Sequence, residues 1–439
     1  MTTYYVNKDA GNDSTGDGLS HATAWLTLTK ALGSGGVPLT GGPHTLLVGA
    51  GTYAETTKLS ITRAYGTVLT IQPEVDGASV IITGTTGGIN TQINGGSTNT
   101  TFKNLTFSSY SGGTYTIFIT ANGTSLSGIV FDGCTITDDG VTADAYLIVH
   151  SFVGTGTVAY SLTNCTLTGN TAGVHNHLDI RSISTLVATV TITNCTINSA
   201  KTGTQWAISG EGSTVYISGC KITSGGRGFA FGADNTTGLA TAGYVRNTSM
   251  TCQGNHGLLL GGGSSGLEVS GCYISVLGHC VIDKGVNNLV LSNNLSNQEG
   301  SSNAAVLLKG STNCKVRSNT IYANSGNHVL ANYDGVALTT AGAQIDHNTF
   351  LGTTSRGIYW EAVNNGAGNV IDYNRYTPGS GVYHWGRILT ANCTTLALLK
   401  SAWAGYEGGT NESHSAQISD TGQGLGLGDL DLVIMAHRR

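Results

Sequence analysis

Four ionisable side chains, His150, Asp179, Arg181 and Glu211, stand in or at the ends of short β-type runs such as Leu147–His150 (LIVH) and Leu178–Arg181 (LDIR). Aligning these runs on Leu258–Gly261 (LLLG) puts His150, Arg181 and Glu211 at one outward position. Asp179, Ser209 and Tyr359 then share a second outward position. In that alignment Asp179 and Glu211 lie one strand and two residues apart, about 8 Å in parallel-strand geometry. An acid, a base and an intervening water need ~6.5–9.5 Å for inverting glycoside hydrolysis. Asp179 and Glu211 are therefore the candidate catalytic pair, with His150 and Arg181 as candidate substrate contacts. The plainer alternative is a surface ladder in which Arg181 pairs with Glu211, an exposed contact worth ~0–1 kcal/mol.

The first outward position continues through Gly232, Gly261, Lys284, Lys309, Asn332 and Glu361. Lys284 and Lys309 put like charges on adjacent strands, which costs energy unless an anion is shared between them. An acidic ligand would serve, and so would Asp283 or Glu361 as internal counter-charges. Lys284, Lys309, Tyr359 and Glu361 complete the candidate substrate-binding set. Metal chemistry finds less support. Asp9, Asp13 and Asp17 recur every fourth residue, which is turn-like and lacks the alternate spacing of a calcium loop. No metal or cofactor is expected.

These residues are positioned by a repeat. One phrase, apolar–polar–Asn/Gly/Ser–Cys/Asn–polar–apolar, occurs eleven times, including Phe102–Phe107 (FKNLTF), Ile192–Ile197 (ITNCTI) and Ile345–Phe350 (IDHNTF). Its fourth residue recurs every 22 to 31 positions, from Leu105 to Asn374. Runs this short cannot bury an apolar face alone, but stacking turn on turn does so. The architecture expected is an all-β parallel β-helix over 41–390. Residues 1–40 form an N-terminal cap and 391–439 a C-terminal cap and tail. Thr23–Leu32 (TAWLTLTKAL) and Thr394–Trp403 (TTLALLKSAW) are the capping helices. The fourth-position column holds Cys134, Cys165, Cys195, Cys220 and Cys272, then Asn294, Asn319, Asn348 and Asn374. Inward thiols would pack as small hydrophobes, and stacked amides would bond from rung to rung. The nine cysteines are an odd number, and the in-line ones lack a CxxC spacing.

Composition narrows the partners. Only 10 % of the 439 residues are charged, and 65 glycines with abundant Thr, Ser and Asn cover the surface instead. A formal charge of −5, with 20 basic against 25 acidic residues, leaves no footprint for nucleic acid. Four prolines and no Gly-X-Y period exclude collagen. No apolar run reaches the ~20 residues of a membrane span, and the first residues lack the basic and apolar regions of a signal peptide.

Tyr4–Lys30 (YYVNKDAGNDSTGDGLSHATAWLTLTK), Leu46–Glu55 (LLVGAGTYAE) and Ile371–Ser415 resemble the opening and close of pectate-lyase-like right-handed β-helix proteins. That resemblance implies a right-handed solenoid whose outward strand face binds saccharide. Its members include polysaccharide lyases, glycoside hydrolases, epimerases and phage tailspikes. The signatures of the familiar enzymes are absent or altered: Asn255–Gly257 reads NHG, no RIK phrase exists, and no outward acidic cluster suits a calcium lyase. The function expected is a phage-type virion surface protein, tailspike-like or decorating, that contacts glycans. A secreted polysaccharide lyase or glycoside hydrolase is the alternative, and a passive structural β-helix the second. Expected partners are a polysaccharide or cell-surface glycan and other virion proteins, with a homotrimer as the assembly and the virion or extracellular space as the location.

Overall fold

The repeated phrase folds as two short strands joined at a left-handed corner. In Phe131–Ile136 the first and sixth residues point inward and are fully buried, and the polar second residue, Asp132, faces out. The third residue makes the corner. It adopts positive φ at each of the eleven occurrences, including Asn104 (53°), Gly133 (65°), Ser318 (54°), His347 (57°) and Tyr373 (56°). Asn and Gly dominate there because they tolerate a conformation that costs other L-residues roughly 1–2 kcal/mol. Ser318→Gly should accordingly raise stability by about 0.5–1 kcal/mol. An unmoved denaturation midpoint would contradict this account of the corner.

The computed structural model describes residues 1–55, 58–84, 89–109, 115–122, 124–138, 146–153, 156–169, 177–182, 187–200, 205–232, 241–300, 304–324, 326–331, 341–352, 356–360, 369–376, 386–388, 391–393, 397–398, 401 and 416–417. They fall into two units, Met1–Tyr216 and Ile217–Arg439. In the first unit sheet 1 includes Thr2–Val6, His44–Val48, Leu126–Asp132, Thr157–Thr163 and Val187–Thr193. Sheet 2 takes the second strand of each phrase, such as Thr135–Thr137 and Thr166–Gly169. Sheet 3 takes the intervening runs: Ile89–Asn94, Tyr115–Asn122, Tyr146–Val153, Leu178–Ser182 and Trp206–Glu211. The second unit repeats this order, for example Ala242–Arg246, Ser249–Cys252 and His256–Leu260. Neighbouring strands pair in parallel, apart from Gly386–Ile388 against Ala391–Cys393. The fold is a right-handed parallel β-helix, the hand that strand twist favours for parallel crossovers.

The core lies inside the coil. Phe102 stacks on Phe131 at 5.1 Å between centroids, and Phe107 meets both rings edge-on. Among the described residues eight cysteines are buried and free, five of them in the fourth-position column. The Cys134 thiol donates to the Phe102 carbonyl at 3.3 Å, and burial holds that thiol well above its ordinary pKa. Burial likewise pushes Cys252 and Cys272 up to about 12. Hydrogen bonds from neighbouring thiols favour charge on Cys165, whereas burial opposes it. A lone thiolate in this apolar column has no counter-ion, so burial governs and Cys134 and Cys165 both stay neutral. Where the column turns to asparagine, the amides form a ladder. Asn348 Oδ1 accepts the Asn319 backbone N–H and side-chain Nδ2, each at 3.0 Å, while its own Nδ2 donates to the Val316 carbonyl at 2.8 Å.

The N-terminal helix is shorter than its sequence pattern predicts. It covers Leu28–Leu32, preceded by a 3-10 turn at His21–Thr23. Trp25 breaks the expected helix because its backbone joins the first strand: its N–H donates to Tyr5 O at 3.0 Å, and its carbonyl accepts from Asn7 at 2.8 Å. The ring still packs inward, stacked on Tyr4. Asp13 accepts from the N–H groups of Leu26 and Thr27, and buried Glu55 accepts from Leu28 N–H at 3.0 Å. The first loop's carboxylate at Asp13 thus tethers the helix. Of the expected C-terminal helix, Ala397, Leu398 and Ser401 are helical.

Candidate functional site

Sheet 3 in the first unit gathers aromatic and charged residues on neighbouring rungs, among them Tyr146 at 8 % exposure. Tyr115 pairs in register with Tyr146, and their rings stack at 5.3 Å with 27° between planes. Phe118 leans on Tyr115, also at 5.3 Å. Trp206 begins the strand that carries Ser209 and Glu211 and is 7 % exposed. The next outward column reads Gln92, Phe118, Val149, Asp179, Ser209 by successive register pairs. The one beyond it reads Asn94, Thr120, Ser151, Arg181, Glu211. A saccharide offers an apolar C–H face and a rim of hydroxyls. Aromatic rings suit the first and carboxylates with amides the second.

Arg181 and Glu211 are register partners on adjacent rungs. Asp179 is opposite Ser209, so Asp179 and Glu211 keep the spacing of one rung and two residues. Asp179 is only 2 % exposed, whereas Glu211 is half-buried. The phenol of Tyr160 is pushed up by its own burial and further by the negative charge of Asp179.

His150 sits differently from the sequence alignment. Its register partners are Ile119 and Ile180, and Ser151 is the register partner of Arg181. The Leu147–His150 run was aligned one residue early, and a one-residue slip exchanges the faces of a strand. Asp283 needs the same correction. It pairs with Leu260 and Leu308 in the core, is completely buried, and therefore cannot offset Lys284 and Lys309 from the outer face. The backbone N–H groups of those lysines donate to Leu260 O and Asp283 O, which keeps them in one column just past the paired strands. Tyr359 pairs in register with Leu330. Asn332 and Glu361 lie outside the described residues. Among the described residues no group of three or more His, Cys, Asp or Glu is placed to hold a metal ion, and no helix is long and apolar enough to cross a membrane.

One set of outward charges was missed because the sequence pattern records the phrase's second residue simply as polar. In the second unit Arg246 makes two bonds to Glu268, at 2.9 and 2.5 Å, and lies over the Tyr244 ring. The guanidinium holds the Glu268 carboxyl below its usual range. Further along sheet 1, Arg317 Nε donates to Asp346 at 2.8 Å, and Asp346 pairs in register with Asp372. The signal was present: Arg, Asp and Asp at the second position of three successive phrases.

The fold and this outer face define a right-handed parallel β-helix protein. Residues 207–395 match the family described as right-handed beta helix region. Among solved structures, the Azotobacter vinelandii mannuronan C-5 epimerase AlgE6 A-module is similar at 10 % identity and a TM-score of 0.44, covering 87 % of this chain and 92 % of its own. The Dettilon tailspike protein is similar at 15 % identity and a TM-score of 0.41, over 82 % of this chain and 63 % of its own. The GH136 lacto-N-biosidase of Eubacterium ramulus is similar at 12 % identity and a TM-score of 0.45, over 83 % and 67 %. These likenesses concern the fold. No curated protein matches the chain in sequence.

Proposed function

We propose that the chain is a glycan-contacting β-helix of the phage-virion surface type, binding saccharide on the outward face of sheet 3 in its first unit. The observation that carries this reading is the stacked pair Tyr115–Tyr146, with Phe118 against it, in a face shared with Asp179, Arg181, Ser209 and Glu211. In a chain with so few charges, that concentration beside aromatic rings favours a ligand of mixed apolar and hydroxyl character. A sparsely charged Gly-, Thr- and Asn-rich surface is consistent with a hardy extracellular particle. The reading takes 1–40 and 391–439 as caps on the solenoid, and includes a homotrimer and contacts with other virion proteins. Tyr359, Lys284 and Lys309 belong to it as contacts of the second unit, the lysines toward acidic sugars.

Glu211, half-buried, would meet the ligand directly, and Asp179, 2 % exposed, would act from behind it; binding is the first reading and cleavage its alternative. The test titrates neutral and acidic oligosaccharides into the parent chain, Asp179→Asn, Glu211→Gln and Tyr146→Ala, while new reducing ends and unsaturated products are followed. Each variant should weaken binding roughly tenfold or more, as expected when a charge-assisted hydrogen bond or a stacked ring is lost. Variants that bind like the parent would sink this location. Product release abolished by Asp179→Asn and by Glu211→Gln would establish the hydrolase reading instead.

A further inference from the structure

We propose a second saccharide site, independent of the sheet 3 face, at the corner formed by His347 and Tyr373, and that its ligand is a neutral pyranose. Both residues occupy the left-handed third position of the phrase, with φ of 57° and 56°. At the other nine occurrences that position holds Asn, Gly or Ser. Ring-bearing residues are the costlier choice there, and strain of this kind concentrates where a side chain must be presented. What the corner presents is the edges and outer face of a ring pair, each ring covering one face of the other. The two rings stack at 4.8 Å with only 9° between their planes, and Tyr373 is 45 % exposed. The His347 side chain is 52 % exposed.

Each ring follows an aspartate. Asp346 and Asp372 are register partners on adjacent rungs of sheet 1, and each is 8 % exposed. Asp346 accepts from Arg317 Nε at 2.8 Å and lies 3.2 Å from His347 Nδ1. Asp372 accepts the Tyr373 backbone N–H at 2.9 Å. These bonds fix both carboxylates beside the rings. The rings offer a platform for the C–H face of a pyranose, and the carboxylates are acceptors for its hydroxyls. One arginine against two aspartates leaves the corner negative, which disfavours uronates and sulfated sugars.

Tyr373→Gly separates function from structure, because glycine suits the left-handed backbone while removing the platform. The full chain and three variants, Tyr373→Gly, Tyr373→Phe and Asp179→Asn, are titrated with cellohexaose, maltohexaose and mannohexaose, with trigalacturonate as the acidic control. One neutral hexaose should bind the parent and lose at least tenfold in affinity with Tyr373→Gly, whose melting temperature stays at or above the parent's. Tyr373→Phe should retain binding. Asp179→Asn should leave this component intact, so failure here is distinguishable from failure of the sheet 3 site. The proposal is overturned if no neutral hexaose binds, if Tyr373→Gly binds like the parent, or if its only effect is to dissociate a self-associated form of the chain.

Discussion

Asn348→Ala is expected to lower the unfolding free energy of the second unit by about 3–5 kcal/mol, although it removes only a small polar side chain. Asn348 is fully buried. Its Oδ1 is the acceptor for two donors of Asn319, and its Nδ2 satisfies Val316 O and reaches Asn374 Oδ1. Alanine would orphan the Asn319 N–H, free one Nδ2 hydrogen while the other stays on the Leu291 carbonyl, and take a donor from the Val316 carbonyl. A buried group left unpaired costs ~1–3 kcal/mol, and members of a network add to one another. Asn324 provides the control, since it is exposed and its Nδ2 donates to the Glu299 carbonyl outside the ladder. Asn324→Ala should change stability by less than about 0.5 kcal/mol. Denaturant midpoints for the two variants decide the matter. Equal, small losses would mean that the ladder contributes packing alone.

A second large effect should come from Asp283. Its carboxyl is buried between Leu260 and Leu308, one oxygen accepts Val286 N–H at 2.9 Å, and the other has no partner among the described residues. Burial pushes its pKa up to about 8, more than the two turn N–H groups lower it. The folded state therefore holds a proton that the unfolded chain releases near pH ~4. Between about pH 4 and 8 the native state binds more protons, so stability falls as pH rises, by ~1.4 kcal/mol per unit from this residue. The loss is complete once the pH passes the folded value, where both states are ionised. Asp283→Asn mimics the neutral acid. Relative to the parent it should gain stability progressively across that window and little at pH 4. Parallel stability–pH curves for parent and variant would refute the neutral, buried acid.

Much of this molecule is legible in its phrase. The apolar first and sixth residues announce the inward strands, the Asn or Gly third residue announces a left-handed corner, and the change from Cys to Asn in the fourth announces the amide ladder. Each is a local requirement repeated at short range, so residue type alone carries it. The candidate site was only partly legible. Arg181 and Glu211 emerge as register partners because their runs share a clear apolar frame. His150 was aligned one register position away from Arg181's true partner because LIVH is apolar at three consecutive positions and so has no phase of its own. Its register with Leu178–Ser182 is set by hydrogen bonds to the next rung.

By itself the sequence determined the stacked architecture, the buried thiols and amides, and a surface poor in charge. Those properties follow from side-chain size, polarity and backbone tolerance within one turn. Only the tertiary structure decided which face each second-run residue occupies, that Asp283 lies in the core, and that Asp346 meets Asp372 while His347 stacks on Tyr373. The residues of each such pair lie 26 apart in the chain and meet only because intervening loops bring successive rungs into register. Register is a property of neighbouring strands together, and no single turn of the sequence contains it.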